Sequence, residues 1–261
     1  MTKEMTESKK LDMAIGIDFG DDLGGGMEGA DRESFAIPFL KVLQKLSPQC
    51  DEADAAFVQG AKGGMLFNSV TGELFADGVT FLPCAYQRRF LRWGPRGDGG
   101  GFKGELLPED VARLRDNDQV RDLDGRLYFP DESGAVNDKR CDRLVDTRSH
   151  FGIIINGENL EQVLLPLSST QIKKSKQLMS MLSAVKIKGP KGMITPPTWM
   201  NKVKITTTLE SNDQGSWYGV KFELDGFINT QEVYDVAKTF HDTVMQGETK
   251  VNYQETAEGK F

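Results

Sequence analysis

The dipeptide Asn156-Gly157 stands between two apolar runs, SHFGIII and LEQVLLPLS. Asn-Gly readily enters the left-handed backbone of a two-residue hairpin turn, because glycine has no Cβ and asparagine tolerates positive φ. The two runs are therefore expected as neighbouring antiparallel strands. Other segments supply further strands. VTFLPCAYQRRFLRW (79–93) is rich in β-branched and aromatic residues, and WMNKVKITTTLE (199–210) and GSWYGVKFELDGFI (215–228) pair through a turn at Ser211–Gly215. GGMLFNSVTGELF (63–75) reads as a hairpin about Thr71-Gly72. AIPFLKVLQ (36–44) contains Pro38, which suits an edge strand.

Two helices are expected late in the chain. SSTQIKKSKQLMSMLSAVKI carries an apolar stripe at Ile172, Leu178, Met179 and Leu182, with Ser168 or Ser169 as its cap and Met179 and Met181 as core packing. TQEVYDVAKTFHDTVMQG has Thr230 as its N-cap. LPEDVARLRDN reads as a short helix with Pro108 at its start. Together these features predict a mainly β (α+β) fold: an OB-like barrel or a small β-sandwich, elaborated with the two late helices and a charged insertion at 98–148. The expected folded domain runs over 35–247. A flexible acidic, glycine-rich segment (1–34) precedes it, in which Ile15, Ile17 and Phe19 alternate as a short strand would, and a flexible tail (248–261) follows.

Charge is distributed unevenly. The chain of 261 residues has 32 basic and 39 acidic side chains, a net of −7, which excludes a uniformly basic nucleic-acid binder. Yet no acid lies between Glu161 and Glu210, while Lys173, Lys174, Lys176, Lys186, Lys188, Lys191, Lys202 and Lys204 all do. A second acid-free window between Asp77 and Asp98 holds Arg88, Arg89, Arg92 and Arg96. Folded together, these windows would make a cationic groove for a polyanion. Aromatic residues accompany the charges, as a groove for single strands requires. Counting by two along 86–93 puts Tyr86, Arg88, Phe90 and Arg92 on one face and Arg89 and Trp93 on the other. The expected nucleic-acid-binding residues are Tyr86, Arg88, Arg89, Phe90, Arg92, Trp93, Lys173, Lys174, Lys176, Lys202, Lys204, Trp217 and Tyr218, with Trp199 in the same aromatic pool. No more than half of the aromatics are expected to face the strand, since a β domain needs aromatic packing.

Enzymatic signatures are lacking. There is no H-E-x-x-H, G-x-S-x-G or Walker pattern, and GPRGDGGGFKGE departs from the phosphate-cradling loop because Lys103 is followed by Gly104. The three cysteines, Cys50, Cys84 and Cys141, form no metal-ligand spacing, and Cys141 with His150 is the nearest approach to one. The reading is therefore a non-enzyme with no catalytic residue, no metal and no cofactor. No apolar run approaches the ~18 residues of a membrane span, and the N-terminus is too polar for a signal peptide, so no membrane is expected and the chain reads as intracellular.

The segments IPFLKVLQKLSP, GAKGGMLFNSVTGEL, VTFLPCAYQRRFLRW, LPLSSTQIKKSKQL and PPTWMNKVKITTTLESNDQGSWYGVKF, with the closing helix, resemble a family of tailed-phage proteins associated with DNA replication and recombination. The resemblance covers most of 35–250. It implies single-stranded DNA binding in the cytoplasm of an infected bacterial cell, coating or protecting the strand. The partners it implies are single-stranded DNA, phage replication or recombination proteins at the acidic termini, and further copies of the chain. The chain ends in Phe261 after Glu255 and Glu258, like the acidic tails of phage and bacterial single-strand binders, but with Lys260 intervening. Two other function classes are consistent with the composition: an inhibitor or interaction protein using its acidic surface to mimic DNA, and a magnesium-dependent nuclease built on the plentiful carboxylates.

Overall fold

The computed structural model describes residues 25–30, 34–95, 100–213, 215–249 and 251–253. The chain divides into two units, 1–35 and 36–261. In the first, residues 27–30 form a turn closed by the Ala30 N–H on the Met27 carbonyl. The alternating Ile15, Ile17 and Phe19 lie outside the described residues.

Two long strands organise the fold. β4 (Val79–Gly94) and β8 (Arg143–Asn156) pair antiparallel along nearly their whole length, from Thr80↔Ile155 to Trp93↔Arg143. β8 turns through Gly157 and Glu158 into β9 (Asn159–Ser168), giving the expected hairpin one residue later than the Asn156-Gly157 pair, because Asn156 still pairs with Asn159. At the other side of β4, β12 (Asn201–Asn212) pairs with residues 79–81 and then with β13 (Gly215–Phe227). β5 (Gly101–Leu106) pairs with the far end of β4, at 90–94. A small separate sheet has the order β1 (Leu40–Val42), β2 (Leu66–Asn68), β3 (Leu74–Phe75), with β1 at its edge as Pro38 foretold.

The mainly β, α+β class is the one observed, but the sheets do not close into the OB-like barrel. Side chains and the small sheet bridge β9 and β13 in place of a ladder. Phe39 makes one parallel bridge to Leu164, and the Leu164 N–H donates to the Pro38 carbonyl. The Gln44 amide satisfies both backbone groups of Tyr218, donating to its carbonyl and accepting its N–H, and the Gln171 carbonyl oxygen accepts the Val220 N–H. Glutamine amides thus do for the β13 edge what a neighbouring strand would do.

Helices cover both faces of the large sheet. Directly opposed residues in an antiparallel ladder share a face, so Phe81, Ile154, Val203 and Ile205 point one way. They meet α2 (Ile172–Ala184) through Leu178 and Leu182. Leu82, Phe151 and Ile153 point the other way and meet α3 (Gln231–Met245) through Ala237, Phe240 and Val244. The Thr230 hydroxyl caps α3 as expected, accepting the Val233 N–H. For α2 the expectation of a serine cap is not met: Ser168 is still extended and Ser169 takes φ +51°, so Gln171 precedes the helix without a side-chain cap bond. A bulge between Pro83 and Ala85 lets β4 bend between the two helices. Gly152 sits where a Cβ would come within 2.2 Å of the Phe81 ring, so that ring lies directly over the β8 backbone.

Residues 98–148 are read from sequence as a charged insertion; from residue 100 onward the described residues extend the main sheet. α1 (Pro108–Asp116), β6 (Arg121–Leu123) and β7 (Arg126–Tyr128) fold over the far ends of β4 and β8 around Phe90, Val111, Val120 and Leu144. After α2 comes the hairpin β10 (Ile187–Gly189) and β11 (Gly192–Ile194). The tail expected to be free from 248 is anchored at Tyr253, which is buried beside Phe39 and Phe102 and shares a hydrogen bond with Ser149.

Candidate nucleic-acid interface

Register assigns the predicted residues to faces. Tyr86 opposes His150, Arg88 opposes Arg148, and Phe90 opposes Asp146, all on the face that α2 covers; Arg92 follows on the same side. Arg89 and Trp93 point to the α3 face. So do Lys202 and Lys204, because Lys204 opposes Thr80 and Thr80 opposes Ile155, which packs with the α3 core. The trough expected from sequence is therefore split: Arg88 and Arg92 lie on the α2 face, while Lys202 and Lys204 are across the sheet; Lys173 and Lys174 of α2 reach the far end of β12 at Glu210.

A chain of contacts links α2 to the arginine strand. Ser175 of α2 hydrogen-bonds His150 Nε2 at 2.8 Å, and the His150 ring lies 5.1 Å from the Tyr86 ring. Arg148 Nη1 donates to the Tyr86 hydroxyl, and Asp146 then takes two hydrogen bonds from Arg148 and two from Arg88. Arg88 and Arg148 would otherwise confront each other across the ladder, an unfavourable like-charge pair. Burial opposes the Asp146 charge, but the Arg88 and Arg148 hydrogen bonds prevail and hold its carboxyl below the usual range. An Asp146→Asn substitution is expected to lower stability by about 2 kcal/mol, less than for a fully buried pair because Arg88 is partly exposed; urea unfolding at pH 7 measures it.

The same arrangement recurs twice. Asp142 accepts from Arg92 Nε at 2.7 Å and from Lys103 Nζ at 2.7 Å, and its carboxyl is also held low, burial being outweighed by these two donors. Arg92 lies 3.9 Å from the centre of the Phe129 ring, a cation–π contact. Glu210 accepts from Lys174 at 2.6 Å, with Lys173 at 4.0 Å, and the Lys174 hydrogen bond chiefly lowers its carboxyl. In each case one carboxylate steadies two cations and leaves one positive charge unmatched. The acids carry the geometry, and the surplus cations supply attraction for an anion.

The aromatic pool divides by burial. Phe90 is buried in the cluster under α1, so its ring packs inside and is closed to a base. Trp93 packs edge-on to Phe102, and Trp199 lies against Tyr234 and His241 with its indole N–H buried and unbonded among the described residues. Tyr218 presses against Gly64, where a Cβ would meet its ring at 2.8 Å. Trp217 remains as the aromatic wall of a cleft of about 670 Å³, lined also by Ser169, Thr170, Lys173, Glu210, Ser211 and Asn212. Lys176 is exposed on α2. Sequence reading missed Arg148, Lys103, Asp142 and Asp146. The signal was present in the alternation of β8, where Asp146, Arg148 and His150 fall two residues apart.

Other groups have structural duties. Cys141 accepts the Asn137 N–H, while His150 serves Ser175, so the pair does not converge. The described residues contain no cluster of three metal-ligating side chains. No described helix is long and apolar enough to cross a membrane.

Fold and face together define a helix-covered open β-sheet whose cations are organised in pairs by buried or half-buried acids. The chain belongs to the Pam3 phage gp34-like protein family, whose pattern it matches over residues 6–250, and is thus a bacteriophage protein. No curated protein matches it, and no solved structure does.

Proposed function

We propose that this chain is a phage single-stranded DNA-binding protein that coats or protects the strand during replication or recombination in the host cytoplasm. It acts by binding and not by chemistry. The observation that carries this reading is the sharing of each carboxylate, Asp142, Asp146 and Glu210, between two cations on or beside the α2 face. Paired cations held at fixed positions suit a flexible chain of phosphates, and Trp217 offers a flat surface to one of its bases. Membership of a phage family is compatible with it.

Binding of this kind releases counterions, so log affinity should fall linearly with log salt, by about 0.7 per phosphate neutralised on a single strand. A fluorescence-anisotropy titration with labelled oligonucleotides, single- and double-stranded, over a salt series tests it. The expected result is preference for the single strand with a steep salt slope. Equal binding to duplex, or none in dilute buffer, would remove the proposal; cleavage of plasmid with magnesium would replace it with a nuclease.

A further inference from the structure

The cleft beside α2 has an occupant already. Three donors converge on one carboxylate: Lys174 Nζ reaches Glu210 Oε1 at 2.6 Å, the Trp217 indole N–H reaches Oε2 at 3.2 Å, and Lys173 Nζ stands 4.0 Å away. The Ser169, Thr170 and Ser211 residues line the same cleft. Two ammonium groups and an indole N–H arranged about a pair of oxygens are the donors a phosphate's oxygens also take. We propose that this cleft is a phosphate-binding site in which Glu210 holds the place of the anion, and that a phosphodiester enters by displacing it. The inference rests on the nucleic-acid reading for the identity of the ligand, but not for the site itself.

Displacement is sterically open. Glu210 stands near the exposed end of β12, where Ser211 and Asn212 precede the turn at Asp213, so open water lies beside its place in the cleft. Exchange is also close to balanced in charge, since one anion replaces another on the same cations. Glu210 thereby keeps the lysines apart from adventitious small anions, yet yields to a polyanion that brings further contacts along its length. By contrast, Asp146 is gripped by four hydrogen bonds on the sheet and has no such freedom.

The test uses inorganic tripolyphosphate, which reports on the cleft without a polynucleotide, followed by tryptophan fluorescence of the full chain. Glu210→Gln should bind it roughly tenfold more tightly than the natural protein at low salt, the scale of one charge-assisted contact. The gain should vanish in Glu210→Gln/Lys174→Gln, and the signal in a Trp217→Phe background. Glu223→Gln, which removes an acid of the same hairpin outside the cleft, paired with exposed Lys221, should behave as the natural chain. Equal affinity of Glu210→Gln and the natural protein, or a gain matched by Glu223→Gln, would overturn the inference. An oligonucleotide titration in parallel separates the two ideas. If tripolyphosphate shows the gain and no oligonucleotide binds, the cleft stands and the DNA reading falls. If oligonucleotides bind and Glu210→Gln changes neither titration, the cleft falls alone.

Discussion

Acidification from pH 6.5 to pH 4 should strip about 3 kcal/mol from the stability of this protein, through one side chain. His150 is buried at 1% exposure between Ser175 and Tyr86. Burial, and secondarily the Arg148 charge, push its ring down to about 4. In the unfolded chain the ring titrates near 6.5. Within that window the unfolded chain gains a proton that the fold refuses, so stability is complete above about 6.5 and falls as the pH approaches the folded value. The groups around the ring, Tyr86, Arg148 and Ser175, offer no carboxylate to receive the proton; Asp146 is engaged with the two arginines. Urea unfolding at stepwise pH should show this slope. In His150→Gln, which retains an amide opposite Ser175 but cannot titrate, the curve should lose most of this slope, keeping only the onset of carboxylate protonation near its acid end, whatever its absolute level. A natural protein equally stable at pH 6.5 and pH 4 would show that the ring is charged inside. Below pH 4 a second decline should follow as Asp142 and Asp146, both held low, take up protons.

The central hairpin was legible because its determinants are local. Gly157 favours a turn directly after Asn156, and β-branched neighbours need nothing else to extend. The helix of residues 172–184 was legible for a like reason, since a stripe at helical spacing has to bury one side. What failed were readings that depend on distant partners. Residues 98–148 look like an insertion because their charges are dense, yet Val111, Val120 and Leu127 close over Phe90 and Leu144, contributed by strands β4 and β8. Closure of the sheet was also illegible: glutamines at 44 and 171 reach the β13 edge from far along the chain, and an amide side chain looks the same in a loop as on a strand edge. The cationic windows were real in composition. Whether a cation is free, however, depends on acids outside the window, and Asp142, Asp146 and Glu210 all flank the acid-free stretches or lie beyond them. Period-two alternation also places Lys202 and Lys204 together without saying which side of the sheet they join, since that is set by the pairing of Lys204 with Thr80.

That division of the lysines between faces makes the largest effect expected for binding. Removing Arg92, Lys173 and Lys176 together, each to glutamine, should weaken a labelled oligonucleotide roughly a hundredfold at low salt and lower the salt slope by about 2, three cations at 0.7 each. The choice spares the fold: Asp142 keeps Lys103, Glu210 keeps Lys174, and Lys176 is exposed. Lys202→Gln/Lys204→Gln removes two cations from the opposite face of the same sheet. Net charge changes almost as much, but no contact on the α2 face is touched, so affinity and slope should stay within about twofold of the natural protein, the residue of long-range attraction after screening. Circular dichroism and thermal melting confirm that both variants are folded. If instead the pair on β12 costs as much as the triple, binding follows total charge or uses the α3 face, and the assignment of the strand's path to α2, Arg88 and Arg92 is wrong. If neither changes binding, the basic windows serve solubility alone. Only an asymmetric loss is compatible with one face of the sheet doing the recognition, because the two variants share fold and aromatic content and differ in net charge by only one.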